Sequence, residues 1–409
     1  MIAQSPATDK TPTSDPSQCG NEPGISTQHY LVTMINRILT CLDNNNKKEV
    51  NAVIVQLIDW NQAFDRQCPK LGVNSFIKNG VRKSLIPVLI NYFQDRKMTV
   101  KWNGKYSSIR SLPGGGPQGC YLGQLEYSSQ SNDSAQFVPP EDRYKFVDDL
   151  SLLEIINLLT IGLSSYNFKN HVASDIAIGD KYLPAVNSRS QNFLDSIQEW
   201  TDEKKMRLNQ KKSKAIIFNF TNNYQFSTRL YMQGELLEIV QSTKLLGTVV
   251  SSDLTWWENT NYLTRKGYQR LELIRRLYQF KVPTIDLVAI YTLYVRSLLE
   301  FNCCVWHFNI TTEESSDIER VQKVACRIIL KENYLSYENA LDQLKLKTLS
   351  ERRAYLCKKF AQKSLNHTKS KDMFPLNEDG RKEKFKVNFA RHKRLLDSAI
   401  PQMQRLLNE

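Results

Sequence analysis

The chain has 409 residues, of which 41% are hydrophobic and 10% aromatic, so it is not a fully disordered protein and can bury two or three domain cores. Its formal net charge of +13 favours a polyanionic partner, and nucleic acid is the first candidate because the positive residues fall in clusters. Eight cysteines without a paired CxxC spacing, and no recognisable signal peptide, predict free thiols in a reducing compartment, the nucleus or the cytoplasm.

Two features that resemble special sites are interpreted as ordinary packing. Cys303, Cys304 and His307 suggest zinc, but no matching second ligand pair is evident, and we interpret them as helix-packing residues. The most apolar run, residues 285–306, contains three charged side chains, which argues against a membrane span.

The N-terminal part changes character twice. Residues 1–27 are rich in Ser, Thr, Pro, Asp and Gly and predict a disordered lead-in. From Thr27 the apolar residues repeat at intervals of three and four, which predicts a helix as far as Asp43. Val53–Ile58 is apolar and β-branched and predicts a buried strand. The strand ends at Asp59, which either caps a following helix or projects its carboxylate from the rim of a sheet.

The next segment predicts a helix and two hairpins. Residues 71–94 have helical apolar spacing. Asn103-Gly104 lies between the strand-like runs Met98–Trp102 and Tyr106–Ile109, and this dipeptide is a strong hairpin signal. Gln233-Gly234 predicts a second hairpin further along the chain.

Ser111–Gly119 is rich in glycine and proline. Glycine at several positions allows a ligand or a nucleotide strand to approach the backbone closely, although an ordinary loop has the same composition. The segment is not the phosphate loop of nucleotide hydrolases, because no Gly-Lys-Ser/Thr follows.

Tyr144–Leu150 places two adjacent acids between apolar residues. The pattern predicts two short strands with Asp148 and Asp149 at the tip between them. Adjacent carboxylates repel each other, so the pair is either a solvated turn or a set of ligands for a hard divalent cation.

The remaining chain is predicted to be mainly helical after one more strand region. A helix begins near Ser190 and leads through a lysine-rich segment into the strand Ala215–Phe220. From residue 260 onward the spacing is helical, and Thr348–Glu351 fits a capping box. The last forty residues are basic and weakly patterned.

The order of these features resembles the reverse transcriptases of non-LTR (LINE-type) retrotransposons. Asp59–Asp65 matches the family motif Asp-x-x-x-Ala-Phe-Asp, and Gly115–Gly119 matches Gly-x-Pro-Gln-Gly. Phe146–Asp149 matches the aromatic-x-Asp-Asp box, and Leu208–Lys214 matches Leu-Asn-x-x-Lys-Thr/Ser. Lys244–Val250 is similar to the primer-grip hairpin, and the similarity extends over roughly residues 18 to 365.

The resemblance implies an α+β fold, a right-hand polymerase palm with reduced fingers followed by a helical thumb and a helical C-terminal region. The implied organisation is a lead-in and fingers remnant at 1–27, the palm with partial fingers and primer grip at 28–250, a thumb-like region at 251–310 and a basic helical region at 311–409.

The resemblance also implies two-metal nucleotidyl transfer, with RNA template, DNA primer or target and dNTPs as partners and no membrane. Asp59, Asp148 and Asp149 correspond to the ligands of two Mg²⁺ ions, for which Mn²⁺ is a substitute. Lys212 corresponds to the lysine near the pyrophosphate, a candidate general acid, with Lys211 and Lys214 as rivals.

Further residues are implied to bind nucleotide or nucleic acid. Phe64 corresponds to the aromatic residue under the incoming sugar, where a ring favours deoxynucleotides, although core packing would also explain it. The residues expected along the template and nucleotide are Gly115, Pro117, Gln118 and Gly119. The expected primer grip is Leu246 and Gly247. The basic residues expected to contact the nucleic-acid backbone are Arg265, Lys266, Arg270, Arg275 and Arg276.

Two departures from the family define the alternatives. The family carries a fingers region before the segment that matches residues 18–27, so the chain is interpreted as N-terminally truncated. Residues 121–143 are polar where the family is apolar. The alternatives are a catalytically inactive remnant that binds nucleic acid through basic helices, and a structural protein that interacts through residues 260–409.

Overall fold

The computed structural model describes residues 15–44, 49–112, 114–117, 119–158, 182–183, 189–221, 227–377 and 384–409, with 182, 183 and 227 described by their backbone alone. Within these ranges the chain divides into two compact units. The first, here called the sheet unit, contains residues 15–26, 53–216 and 227–239. The second, here called the helical unit, contains residues 27–52, 217–221 and 240–409.

Strands and helices are interspersed as far as Ser251, and the described elements from Trp257 onward are helical. The strands are β1 (Asn51–Ile58), β2 (Lys97–Met98), β3 (Lys101–Trp102), β4 (Lys105–Tyr106), β5 (Arg110–Ser111), β6 (Arg143–Phe146), β7 (Asp149–Asn157), β8 (Tyr182–Leu183), β9 (Lys214–Phe218), β10 (Ser227–Thr228), β11 (Tyr231–Met232), β12 (Glu235–Leu236), β13 (Glu238–Ile239), β14 (Ser242–Leu245) and β15 (Thr248–Ser251). The helices are α1 (Thr27–Asp43), α2 (Pro69–Lys78), α3 (Ile86–Phe93), α4 (Tyr121–Ser131), α5 (Arg189–Glu203), α6 (Trp257–Gln279), α7 (Thr284–Ile290), α8 (Ser297–Leu299), α9 (Cys303–Trp306), α10 (Thr312–Leu330), α11 (Tyr337–Leu344), α12 (Leu349–Ser364), α13 (Lys393–Leu396) and α14 (Ala399–Asn408). Short 3₁₀ turns lie at Lys83–Leu85, Pro140–Asp142, Lys331–Asn333 and Lys371–Met373, and Tyr291–Arg296 is a π-helical turn.

A five-stranded sheet in the order β13-β9-β1-β7-β6 organises the sheet unit. β1 is central and almost wholly buried, as its continuous apolar, β-branched sequence predicts. β6 and β7 pair antiparallel, with Phe146 opposite Asp149. The mixed helix-and-sheet class expected from the sequence is therefore confirmed.

Residues 15–20 pack against the edge of this sheet, in contrast to the disordered lead-in predicted over residues 1–27. Cys19 N donates to Lys145 O at 2.8 Å, and Lys145 N donates to Ser17 O at 3.1 Å, so the segment runs alongside β6. Asp15 is 4% exposed and forms ion pairs with Arg143 at 2.9 Å and Lys145 at 2.6 Å. Burial alone would raise the pKa of Asp15, but the Lys145 charge and hydrogen bonds from Arg143 and Lys145 lower it to about 2. The prediction of a disordered lead-in does not hold for residues 15–20, whose partners lie more than a hundred residues away in the sequence; residues 1–14 lie outside the described residues.

The helical unit is built around α6 and α10. Gly267 of α6 has no side chain at a point where a Cβ atom would lie 3.0 Å from Val321 of α10, so the two helices approach closely. α10 begins with the capping box Thr311–Glu314 and α12 with the capping box that the sequence predicts at Thr348–Glu351. No helix among the described residues is long and apolar enough to cross a membrane.

The observed units divide the chain at different points from those expected by analogy with the family. α1 belongs to the helical unit, whereas the family resemblance implies a single palm region over residues 28–250. Residues 251–310 and 311–409 share one unit, in which α6 of the first range packs against α10 of the second.

Asp15→Ala is expected to lower the free energy of unfolding by about 3–5 kcal/mol, because Arg143 and Lys145 would remain buried without their counter-charge. Denaturant unfolding followed by circular dichroism measures this change. Glu199→Ala, at an exposed position of α5, is the control and should change stability by less than about 0.5 kcal/mol. Equal stabilities of the two variants would contradict a stabilising role for the buried ion pair.

Candidate active site

Asp59 follows the last residue of β1 and lies at the rim of the sheet, as the sequence predicts. Its backbone N–H donates to Ser213 Oγ at 3.0 Å, and its carbonyl accepts from Asn209 N at 2.8 Å. Trp60 forms an isolated antiparallel bridge with Leu208. The segment Leu208–Lys214 therefore lies directly against Asp59, which brings two of the sequence motifs together.

Asp148 and Asp149 lie at the turn between β6 and β7. Val147 and Asp148 form the tip, and Asp149 is the first residue of β7. Val147 has φ +57°, an uncommon conformation for a β-branched residue that indicates backbone strain at the tip. Gln18 Oε1 accepts hydrogen bonds from Val147 N and from Gly20 N. A Cβ atom at Gly20 would overlap the Val147 backbone nitrogen, so this support of the turn requires glycine there.

The three aspartates affect one another electrostatically. Burial, together with the charges of Asp148 and Asp59, raises the pKa of Asp149 to about 6. Burial also raises the pKa of Asp59; Lys212 and a hydrogen bond from Asn209 oppose the increase, while Asp148 adds to it. The Asp59 Oδ2 atom is buried without a hydrogen-bond partner. A buried carboxylate oxygen of this kind, close to two other acids, is suited to a divalent cation.

The acids are not drawn into a compact ligand set. Among the residues that the structure describes, the set of three metal-ligand side chains whose donor atoms lie within 4.8 Å of one another is Cys303, Cys304 and Cys357 of the helical unit. His307 is not part of that set, and its Nδ1 accepts from Arg353 Nε at 3.3 Å.

The structure distinguishes among the three candidate lysines. Lys212 is the lysine whose charge acts on Asp59. Lys214 forms an ion pair with Glu238 across β9 and β13, with Nζ and Oε2 3.2 Å apart. Lys211 is exposed. Of the three lysines, Lys212 is thus the one with an electrostatic effect on Asp59, and its role stays a prediction.

Phe64 and the glycine-rich loop lie together beside the acids. The Phe64 ring stacks on Tyr127 with centroids 4.8 Å apart, and burial together with the charges of Asp148 and Asp149 raises the pKa of Tyr127. Gly116 N donates to Phe64 O at 2.8 Å, and Gly115 N donates to Gln67 O at 2.8 Å. Gly115 has φ +85°, and a Cβ atom there would lie 3.0 Å from Asp65 O.

The other residues expected in this loop have different environments. Pro117 O accepts from Cys120 Sγ at 3.4 Å, before α4 begins. Gly119 is exposed with φ +77°, and a Cβ atom at this position would project into open space. Gln118 lies outside the described residues.

Sequence reasoning missed a buried polar cluster beneath this loop. Glu126 and Gln130 of α4 and Gln67 are at most 1% exposed, and their side-chain polar atoms have no hydrogen-bond partner. A Cβ atom at Gly116 would overlap the Gln67 side-chain oxygen, so the loop lies directly on the cluster. Burial raises the pKa of Glu126 to about 7, although Arg96 acts in the opposite direction. The polar composition of residues 121–143 was the available signal.

The remaining predicted residues belong to the helical unit. Leu246 and Gly247, with φ +44° and +86°, form the two-residue turn between β14 and β15. Asn302 donates to Leu246 O at 3.1 Å and to Thr248 Oγ1 at 3.0 Å, which fixes this turn.

The five basic residues of α6 do not share one environment. Arg275 and Arg276 both pair with Glu272, and Arg270 stacks over the Tyr294 ring. Arg265 is exposed and Lys266 half-buried.

Comparison with known proteins identifies the relatives of this chain. It is 27% identical over 294 residues to the probable RNA-directed DNA polymerase from transposon BS of Drosophila melanogaster, which covers 72% of this chain and 29% of that protein. It is 26% identical over 236 residues to the RNA-directed DNA polymerase from mobile element jockey of the same organism, covering 57% of this chain and 23% of that protein. The curated relatives are thus RNA-directed DNA polymerases of non-LTR retrotransposons, and the resemblance stated from the sequence is confirmed. The chain spans less than a third of the length of these relatives. No protein-family model matches it.

Solved structures show a weaker likeness. The apo telomerase from Candida tropicalis aligns with 96% of this chain and 52% of its own, at 12% identity and a TM-score of 0.41. The telomerase from Candida albicans in complex with a fragment of telomeric RNA covers 87% of this chain and 54% of its own, at 11% identity and a TM-score of 0.34. A likeness at this level carries no argument about the fold.

Glu126 should make the stability of the protein depend on pH. The unfolded carboxyl loses its proton near 4.5 and the folded one near 7, so the folded chain binds more protons between these values and stability falls as the pH rises through that window. Glu126→Gln should remove this loss and be more stable than the parent by about 3 kcal/mol at about pH 8, with little difference at about pH 4. Denaturant unfolding across this pH range measures the effect. The exposed Glu141→Gln should follow the parent, and a parallel pH profile for Glu126→Gln would contradict the assignment.

Proposed function

We propose that the sheet unit is a polymerase palm and that the chain acts as an RNA-directed DNA polymerase, transferring a nucleotide from a dNTP to a primer 3′-hydroxyl. The observation that carries the proposal is the convergence of Asp59, Asp148 and Asp149 with Lys212 at one rim of the sheet. The relatives named as RNA-directed DNA polymerases support it.

Asp59, Asp148 and Asp149 would hold divalent cations, two Mg²⁺ ions with Mn²⁺ as a substitute. The donor set fits, because carboxylate oxygens are the ligands these hard cations prefer and Asp59 Oδ2 is buried without a partner. Bound cations would supply charge stabilisation for the pentavalent phosphate and a lowered pKa for the attacking hydroxyl. The raised pKa values of Asp59 and Asp149 are consistent with this role, since a cation would offset the burial and the repulsion that raise them.

The other side chains of the site would position the nucleotide. The exposed Lys212 ammonium, close enough to act on Asp59, would donate a proton to the departing pyrophosphate. Phe64, held by stacking on Tyr127, would lie against the sugar and exclude a ribose 2′-hydroxyl. Gly115, Pro117, Gln118 and Gly119 would follow the template and the nucleotide.

The helical unit would serve nucleic-acid binding. Leu246 and Gly247 would form the primer grip, on a turn fixed by Asn302. Arg265 and Lys266 would contact the phosphate backbone, and Arg270, Arg275 and Arg276 would do so after exchanging their present partners. α6 and its neighbours would then act as a thumb.

A catalytically inactive protein that binds nucleic acid is the second candidate. The net charge of +13 favours it. Under this candidate, affinity for RNA or DNA would fall steeply between about 50 and 200 mM salt and would not depend on Asp148.

Asp148→Ala should lower primer extension on an RNA template by more than about a hundredfold, because a metal ligand would be lost. Extension by purified protein with Mg²⁺ or Mn²⁺ measures this. Asp202→Ala, at an exposed position of α5, is the control and should retain full activity. If the parent protein extends nothing with either metal while binding RNA with a steep salt dependence, the polymerase proposal is refuted and the second candidate stands.

Lys212→Ala should slow nucleotide addition by about a hundredfold or more, whereas Lys211→Ala should have little effect. The two variants remove the same charge from adjacent exposed positions, so they differ only in which lysine lies near Asp59. Single-turnover extension rates should be measured over a range of pH. The decrease in rate at high pH that a general acid produces should be absent in Lys212→Ala. Equal rates for the two variants would assign the proton transfer elsewhere.

A further inference from the structure

Residues 95–111 form a hairpin between the Asp59 motif and the Asp148 motif. Both faces of this hairpin are exposed to solvent. Every residue from Lys97 to Ser111 is exposed. Its large side chains include Trp102 at 78%, Ile109 at 70% and Tyr106 at 65% exposure. Exposed aromatic and apolar residues at this density on one small element indicate a surface that binds something. We call this element the hairpin ribbon.

The hairpin ribbon is strongly basic. Residues 95–111 contain five basic side chains and one acidic side chain, a net charge of +4. The charges alternate with the rings: Lys101 lies opposite Tyr106, and Lys105 lies opposite Trp102. Lys101 Nζ is 5.3 Å from the centroid of the Tyr106 ring. Rings and cations interleaved in this way match a strand that carries both bases and phosphates.

The ribbon is held in a defined shape. Asn103 and Gly104, with φ +46° and +76°, form the tight turn that the sequence predicts. Ser107 N donates to Val100 O at 2.9 Å, and Val100 N donates to Ser107 Oγ at 2.9 Å. A preorganised platform loses little conformational entropy when a ligand binds to it.

The base of the ribbon is joined to the glycine-rich loop of the candidate active site. Arg96 Nη1 donates to Gly115 O at 2.6 Å, and Leu112 N donates to Arg96 O at 2.8 Å. The base of the ribbon is therefore anchored directly beside Gly115.

We propose that the hairpin ribbon is a stacking platform for single-stranded nucleic acid, on which Trp102 and Tyr106 stack with bases and Lys97, Lys101, Lys105 and Arg110 neutralise phosphates. Under the proposed function this single strand would be the unpaired part of the template, and that identification rests on the proposed function. Binding of single-stranded nucleic acid by the ribbon does not depend on it. The net charge of +4 favours nucleic acid over an apolar protein partner, because a protein that covered the rings would also have to bury or pair the lysines.

The experiment measures binding of a 20-nucleotide single-stranded RNA by fluorescence anisotropy, in the Asp148→Ala background and without dNTPs, so the result is independent of catalysis. The double variant Trp102→Ala/Tyr106→Ala removes both rings. Phe280→Ala/Phe389→Ala removes two equally exposed rings of the helical unit and is the matched control. Trp102→Phe retains a ring at the same position.

The ring-free double variant should lose about tenfold to a hundredfold in affinity for the single strand and much less for a blunt RNA duplex, because only unpaired bases offer faces for stacking. The control should bind as the parent does, and Trp102→Phe should recover most of the affinity.

Lysine substitutions separate the charge contribution. Lys101→Gln/Lys105→Gln should reduce the slope of log K against log salt by about 1.4, the value for two phosphates on a single strand. Lys70→Gln/Lys78→Gln, at two exposed lysines of α2, should leave the slope nearly unchanged. Unchanged single-strand affinity in both hairpin variants would overturn the proposal. A changed oligomeric state in sedimentation with unchanged RNA affinity would also overturn it, because the ribbon would then bind protein.

Discussion

The mutual repulsion of three carboxylates is the constraint on which the sheet unit depends. Asp59 and Asp149 are partly buried, and the nearby charge of Asp148 makes ionisation of both less favourable. Such an arrangement persists only where the surrounding chain holds it in place. The Asp148–Asp149 turn is held by Gln18 and Gly20 on one side, and Asp59 is held by Ser213 and Asn209 on the other. The buried Asp15 ion pairs with Arg143 and Lys145 lock the first of these supports onto β6.

Features with local causes were predictable from the sequence, and those with distant causes were not. The Asn103-Gly104 and Gln233-Gly234 turns, the strand ending at Asp59 and the tip at Asp148 each follow from a few neighbouring residues. The packing of Asp15 depends on partners more than a hundred residues away in the sequence, so composition alone predicted disorder. The choice among Lys211, Lys212 and Lys214 depends on side-chain direction, which sequence spacing does not specify.

The polar cluster beneath the glycine-rich loop shows how a departure from a family pattern is accommodated. Gln67, Glu126 and Gln130 occupy a buried layer in which their polar atoms have no partners. Such a layer costs free energy unless water enters it or Glu126 takes up a proton, and its raised pKa agrees with protonation near neutral pH. The loop at Gly115 and Gly116 therefore rests on a layer that costs more free energy to bury than an apolar one.

The two candidate functions differ in how much geometric accuracy they demand. Binding by exposed lysines and rings, as on the hairpin ribbon, depends on charge and surface and tolerates shifts of an ångström or more. Nucleotidyl transfer does not tolerate them, because misplacement of a reacting atom by about 1 Å costs a hundredfold in rate. The supports of Asp59 and of the Asp148 turn contribute nothing to binding through basic surfaces. A chain that only bound nucleic acid would have no use for Gly20 beneath Val147 or for Lys212 beside Asp59, and the presence of both favours the polymerase.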